Sequence, residues 1–179
     1  MGVIFVAGVH AVGKTTACTQ AAGSLGLVHY AASSLIKAEK ASAIPKQGKA
    51  VTDVNGNQEL LICGVEKACE RHQGRIILDG HFTLSKPDGQ IEAIALDVFR
   101  AIALDGVVVF QDKPADIVMR LKLRDGEIRN PDAIARHQNA ELTHAKFVSR
   151  ELNVPLKLLP AFDADGLTYT IANWDVNAE

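Results

Sequence analysis

The sequence predicts an α/β domain built on a parallel sheet, and three observations lead there. Short, uninterrupted apolar runs such as Val3-Ile4-Phe5-Val6 and Val107-Val108-Val109-Phe110 are those of strands buried on both faces. Longer stretches with helical spacing separate these runs, so strand and helix alternate along the chain. A glycine-rich loop, Gly8 to Thr15, joins the first strand to the first helix. A chain of 179 residues, 47% hydrophobic, is long enough to bury one core, so a single domain over residues 1–179 is expected.

The elements follow in order. Gly2 to Ala7 is the first strand, bounded by glycine and flat in its apolar pattern. Lys14 to about Gly23 is alanine-rich and free of proline, and Gly23 and Gly26 punctuate its end, as a helix and turn require. Leu27 to Tyr30 is a brief second strand. Ser33 or Ser34 is placed to cap a short helix through Leu35, Ile36 and Ala38, closed by Pro45 and Gly48. Asn55 and Gln58, three apart, resemble a capping box opening an amphipathic helix that ends near Gly74.

Arg75 to Gly80 reads as a strand finishing on the acid Asp79, and Gly106 to Phe110 as another. Between them, Ile91, Ile94, Ala95, Val98 and Ile102 have the spacing of a helix from Ile91 to Leu104. Pro114 suits the first turn of a helix to Arg124, and Pro131-Asp132 opens a long one to about Leu152. Pro155 to Leu159 is a last strand. Leu167 to Ile171, after the turn signal Asp163-Ala164-Asp165-Gly166, suits a short added strand. Five strands alternating with helices imply a parallel sheet covered on both faces.

Charge and cysteine usage exclude several classes. With 19 basic and 21 acidic side chains the net charge is -2, which offers no field for a polyanion, so no nucleic-acid partner is expected. Cys18, Cys63 and Cys69 are an odd count without a C-x-x-C pair or a histidine at zinc-ligand spacing, which argues for reduced thiols. No apolar run approaches the roughly 20 residues that cross a bilayer, so the expectation is a soluble, cytoplasmic protein with no membrane partner.

Chemistry concentrates in Gly8-Val9-His10-Ala11-Val12-Gly13-Lys14-Thr15, which matches G-x-x-x-x-G-K-[ST] at every required position. This is a P-loop, or Walker A motif. Its backbone N–H groups at a helix N-terminus make a cradle for a polyphosphate, and glycines let the phosphates come close. Lys14 supplies a mobile charge to the β and γ phosphates of ATP, the Thr15 hydroxyl completes the shell of a Mg2+ ion, and Thr16 supports the loop. Asp79, at the carboxyl end of a buried strand, is placed as a Walker B acid toward the same Mg2+. His81, two residues on, has a structural and a functional reading. Arg120, Arg124, Arg129 and Arg136 span two helices and a short loop, where they can neutralise phosphate oxygens or pair with neighbouring acids.

The P-loop, Ile77-Leu78-Asp79-Gly80-His81 and the series M-R-L-K-L-R-D-G-E-I-R-N-P-D-A-I-A-R-H-Q from Met119 together resemble nucleoside monophosphate kinases, and among them the archaeal-type adenylate kinases. The similarity runs over most of residues 1 to 160, with the P-loop its specific part. It implies a three-layer α/β/α fold, a five-stranded parallel sheet of order 2-3-1-4-5, an acceptor flap over about 31–73 and a short lid over about 124–132. By the same resemblance Arg120 would stack near the ATP base, and Arg124, Arg129 and Arg136 would meet phosphates. The chain departs from that family where the acceptor binds, because no arginine lies between Met1 and Cys69 or between Ile76 and Phe99. Lys37, Lys40, Lys46 and Lys49 could substitute there as point charges, without arginine's bidentate fork, or be solvated. Asn57 and Gln58 could read a nucleobase edge there or serve only in helix capping.

The expected activity is transfer of the γ-phosphoryl group from Mg-ATP to a small nucleotide-like acceptor. Two alternatives stay open: kinase of a nucleoside or other small alcohol, with Asp79 a candidate base, and a P-loop ATPase acting as a regulatory switch.

Overall fold

A computed structural model describes residues 2–42, 54–72, 74–86 and 88–176. In chain order the elements are β1 (Val3–Ala7), α1 (Lys14–Leu25), β2 (Val28–Ala31), α2 (Ala32–Ser42), α3 (Val54–His72), β3 (Ile76–Asp79), β4 (Thr83–Ser85), β5 (Ile91–Ala93), α4 (Leu96–Ala101), β6 (Leu104–Gln111), α5 (Pro114–Asp125), α6 (Pro131–Leu152), β7 (Leu156–Pro160) and α7 (Ala164–Val176).

The main sheet is five-stranded, parallel throughout, and ordered β2-β3-β1-β6-β7. Counted among its parallel strands this is the expected order 2-3-1-4-5. Every residue of β1 is at most 1% exposed, because strands flank it on both sides and helices cover both faces. Alternation divides the core in two. Val3, Phe5 and Ala7 face a cluster with Leu61, Val65 and Phe99, whereas Ile4 and Val6 face one with Ala17, Ile117 and Leu167. Among the described residues no helix is long and apolar enough to cross a membrane.

Four expectations are corrected. The stretch Ile91–Leu104 is not one helix: Ile91–Ala93 is β5, paired antiparallel with β4, and only Leu96–Ala101 is helical. The hairpin turns at Gly89, whose φ of 83° favours glycine, and Lys86 N–H donates to Gln90 O across 2.8 Å. The helical spacing had misled because Ile94, Val98 and Ile102 are all buried, though from different local structures. Leu167–Ile171 is not a strand but part of α7. Asp163 Oδ1 accepts from Gly166 N–H across 2.8 Å, so the turn signal caps a helix, and Leu167 and Ile171, four apart, bury one face.

The third correction concerns Asn55, which lies inside α3 (Val54–His72) rather than ahead of it. The fourth concerns Ser33 and Ser34. Helix α2 starts at Ala32, directly from β2, which leaves both serines exposed within its first turn. Pro45, Lys46, Gly48 and Lys49 lie outside the described residues. The remaining helices begin and end as expected. Asn130 Oδ1 accepts from Asp132 N–H across 2.8 Å to cap α6 behind Pro131, and Gly126 closes α5 with a φ of 70°.

Candidate active site

The chain leaves β1 toward β2 and β3 on one side and returns as β6 and β7 on the other, so the carboxyl end of β1 faces a natural crevice. The loop from Gly8 to Gly13 fills it. Gly8 has a φ of 142°, and a Cβ there would stand 2.7 Å from Phe110 O. Gly13, with a φ of 92°, lies against the Phe162 ring, which a Cβ would meet at 2.5 Å. Both positions therefore require glycine for conformation and for close approach. His10 to Thr16 line a cavity of about 730 Å³. Gly8 and Val9 are not among the residues that line it, and Val9 is buried in the core.

Lys14, the first residue of α1, is 7% exposed, and its Nζ donates to Gly8 O across 2.6 Å and Val9 O across 3.2 Å. Burial lowers its pKa, and the Asp79 and Glu141 carboxylates pull it part of the way back. Thr15 Oγ1 donates to Asp79 Oδ2 across 3.0 Å, which brings the P-loop hydroxyl and the acid at the end of β3 together. His29 Nε2, from β2, lies 2.9 Å from the same oxygen. A hydroxyl and a carboxylate are hard oxygen donors, and this pair fits a Mg2+ ion at the phosphate end. Cys18, His29 and Asp79 offer donor atoms within 4.8 Å of one another, a grouping drawn from three elements that no spacing along the chain reveals.

The four arginines divide between two cavities. Arg120 and Arg124 line the main one, four residues apart on α5. Arg120 Nη1 donates to Ala11 O across 2.7 Å, its guanidinium pairs with Asp112, and it lies 5.0 Å over the Phe162 ring. It therefore braces the P-loop and builds a flat cationic and aromatic ledge beside it. Arg124 pairs with Asp125 across 2.6 Å. Arg129 and Arg136 instead line an adjoining cavity of about 600 Å³, with His10, His81 and His137. Arg129 pairs with Glu127 across 2.7 Å.

His10 and His81 meet at a tilt of 50°, with ring centroids 4.6 Å apart, between the two cavities. Burial first, and the Lys14 charge second, lower both imidazole pKa values, His81 well below its usual value, so both rings favour the neutral form. Two residues hold this wall in place. Glu141 is fully buried, and it accepts from Phe82 N–H, Thr83 N–H and Thr83 Oγ1 at 3.1, 2.6 and 2.6 Å. Gln138 Nε2 donates to Asp112 O and its Oε1 accepts from Asp112 N–H, tying α6 to the segment after β6. Sequence reading missed Phe162, His29 and Glu141; a buried acid on α6 was the available signal for the last, and nothing local marks the other two.

Comparison with known proteins places this geometry. The family model AAA_17, described as an AAA domain, matches residues 7–138, most of the chain. The chain belongs to this family. Within AAA_17 it is P-loop kinase-like: it is 21% identical over 175 residues to an adenylate kinase of Pyrococcus abyssi, covering 92% of this chain and 89% of that protein. Two solved structures share the fold. A gluconokinase from Sinorhizobium meliloti superposes with a TM-score of 0.53 at 14% identity, covering 99% of this chain and 98% of that one. A sugar kinase from Janibacter sp. superposes with a TM-score of 0.57 at 18% identity, covering 99% and 96%.

Proposed function

We propose that this AAA_17 protein is an ATP-dependent phosphotransferase that moves the γ-phosphoryl group of ATP to a small acceptor held in the same cavity. The observation that carries this reading is the depth of that cavity. It runs from the P-loop past Asp79 and Gly80 to Leu61, Ile94 and Phe99, well beyond where a nucleotide's phosphates would lie. A hydrolytic switch has no use for such a chamber, whereas a transferase must seat its second substrate in line with the γ-phosphorus.

In this reading the 8–15 backbone cradles the polyphosphate, and Lys14 leaves its loop carbonyls to meet the β and γ phosphates. Thr15 and Asp79 hold Mg2+, which supplies charge neutralisation on the phosphate oxygens. Arg120 and Phe162 form the ledge for the nucleotide base. Arg124, Arg129 and Arg136 surround the transferring group when residues 124–132 close as a lid, and residues 31–73 act as the acceptor flap of one kinase-like domain. Catalysis is by positioning and electrostatics, without a covalent enzyme intermediate. A cytoplasmic setting, with ATP present and thiols reduced, accords with the cysteine usage.

The test is production of ADP from Mg-ATP alone and with a panel of monophosphates, nucleosides and sugar acids, subtracting the rate of Lys14→Ala. Acceptor-stimulated, Lys14-dependent ADP release supports the transferase. Lys14-dependent hydrolysis indifferent to every acceptor would replace it with an ATPase switch.

A further inference from the structure

Asp79 has neighbours beyond the P-loop hydroxyl. Thr15, Cys18 and Thr19 stand three and four residues apart on α1 and so share one face of that helix. Parallel pairing of β2 with β3 sets Ala31 beside Asp79, and His29 precedes Ala31 by two residues on the same face of β2. One ligand atom each from Cys18, His29 and Asp79 therefore lies within 4.8 Å of the other two. Cys18 is fully buried, and the His29 and Asp79 side chains are nearly so. Asp79 also lines the main cavity, which gives an ion a way in.

The hydrogen bonds around His29 suit a ligand. Thr19 Oγ1 donates to Thr15 O across 2.8 Å, which spends its only proton, so at 3.3 Å it is left to accept from His29 Nδ1–H. A histidine that donates from one ring nitrogen in this way presents the other as a lone pair, as metal-bound histidines do. That lone pair, on Nε2, faces Asp79 Oδ2 across 2.9 Å. Two acceptors so close need a cation between them, either a second proton on the ring or a metal ion. A proton would complete a His29–Asp79 ion pair and give the nearby Cys18 sulfur no part, whereas a metal ion uses all three.

The donor set selects the ion. Sulfur, imidazole nitrogen and one carboxylate oxygen are ligands of Zn2+, while Mg2+ takes oxygen alone. Tetrahedral zinc sets such atoms about 3.3–3.6 Å apart, so His29 and Asp79 need part by only about half an ångström and the sulfur close by no more than about 1 Å. Loss of the thiol proton to solvent on binding leaves a thiolate and a carboxylate that together neutralise the ion, as burial demands. The fourth position falls to water or to Thr15 Oγ1, which already touches Asp79.

We propose that Cys18, His29 and Asp79 form a binding site for Zn2+, and that zinc bound there inhibits the protein by holding the carboxylate that Mg2+ requires. The inhibition rests on the phosphotransferase reading; the metal site itself does not.

Metal binding and turnover of the full chain test it separately. Co2+ is titrated first, because it enters zinc sites and shows thiolate ligation as an absorption band, and Zn2+ is then used to displace it. The expected result is one Co2+ per chain with a thiolate band that Zn2+ abolishes. The band is lost in Cys18→Ala, and Cys18→Ala and His29→Gln each weaken Zn2+ binding at least tenfold. Should Cys18→Ala fail to fold, the Cys63→Ser/Cys69→Ser double variant, whose one remaining thiol is Cys18, keeps the band. In the ADP-release assay at buffered free Zn2+, zinc inhibits, added Mg2+ relieves it, and His29→Gln raises the half-inhibiting zinc concentration at least tenfold. A band absent from the wild type or from the double variant, or Zn2+ affinity unchanged in His29→Gln, overturns the site. Zinc held through Cys18 with no effect on Lys14-dependent turnover overturns the inhibition and keeps the site. Absence of any Lys14-dependent turnover overturns the phosphotransferase, and the inhibition with it, while the absorption and affinity measurements still decide the site.

Discussion

Thr15 Oγ1 donates to Asp79 Oδ2 across 3.0 Å, joining the first turn of α1 to the last residue of β3. The two residues are far apart in sequence, and parallel pairing of β1 with β3, in which Val6 stands beside Asp79, is what makes them neighbours. The pair should govern Mg2+ use. Asp79→Asn and Thr15→Ala are each expected to weaken the apparent Mg2+ affinity by about 10–100-fold in a Mg2+ titration of turnover. Unchanged Mg2+ dependence in both would remove the pair from the metal site.

Lys14 is buried, and its ammonium is held by loop carbonyls, so its charge is kept at a cost in hydration. Lys14→Ala should therefore lower turnover by about 10²–10³-fold while the melting temperature moves by less than about 5 °C. A collapse of the melt with the activity would make the lysine structural.

The arginines should separate kinetically. Arg120 braces Ala11 O and covers Phe162, so Arg120→Ala is expected to raise the ATP KM about tenfold through a loosened loop. Arg124→Ala and Arg129→Ala should lower kcat more than they raise KM, because their present partners are exposed acids that a phosphoryl group in flight can replace. Steady-state kinetics with varied ATP distinguishes the two patterns.

Glu141 accepts three hydrogen bonds with no exposure to water. Glu141→Ala strands two backbone N–H groups and is expected to cost about 3 kcal/mol, or about 6–12 °C in melting temperature. Glu141→Gln, which keeps one acceptor, should lie between. Thermal melts of the three proteins rank them.

Stability should also fall in mild acid. The His10 and His81 pKa values are lowered in the folded state, mainly by burial, so the unfolded chain binds protons that the folded one does not as pH drops through their ordinary value of 6.5. The free energy of unfolding therefore rises with pH across that window and levels off above it. Denaturant unfolding between pH 5 and 8 should show this slope, by up to one proton per histidine, and His10→Gln should flatten its share.

Much of this was legible in the chain. The P-loop could be read because its constraints are local: Gly8 and Gly13 are demanded by positive φ, and Lys14 and Thr15 follow at fixed offsets on the next helix. The three central strands of the main sheet, β3, β1 and β6, could be read because burial on both faces leaves an unbroken apolar run. Helical spacing at 91–104 failed, since a hairpin strand takes its stability from a partner, β4, that lies outside its own window. The turn at 163–166 failed for the opposite reason, because an Asp-x-x-Gly pattern serves a loop or a helix cap equally well until the downstream face finds a core.

By itself the sequence determined the phosphate cradle, the parallel sheet and the supply of arginines, all written in short-range chemistry. Tertiary structure decided the rest: that Thr15 and His29 meet at one oxygen of Asp79, that Phe162 closes on Gly13 and Arg120, that the arginines part into two cavities, and that apolar side chains from five elements wall the cavity beyond the P-loop. Each of these joins side chains from separate elements, and a contact between elements exists only once burial of their apolar faces has set where they lie.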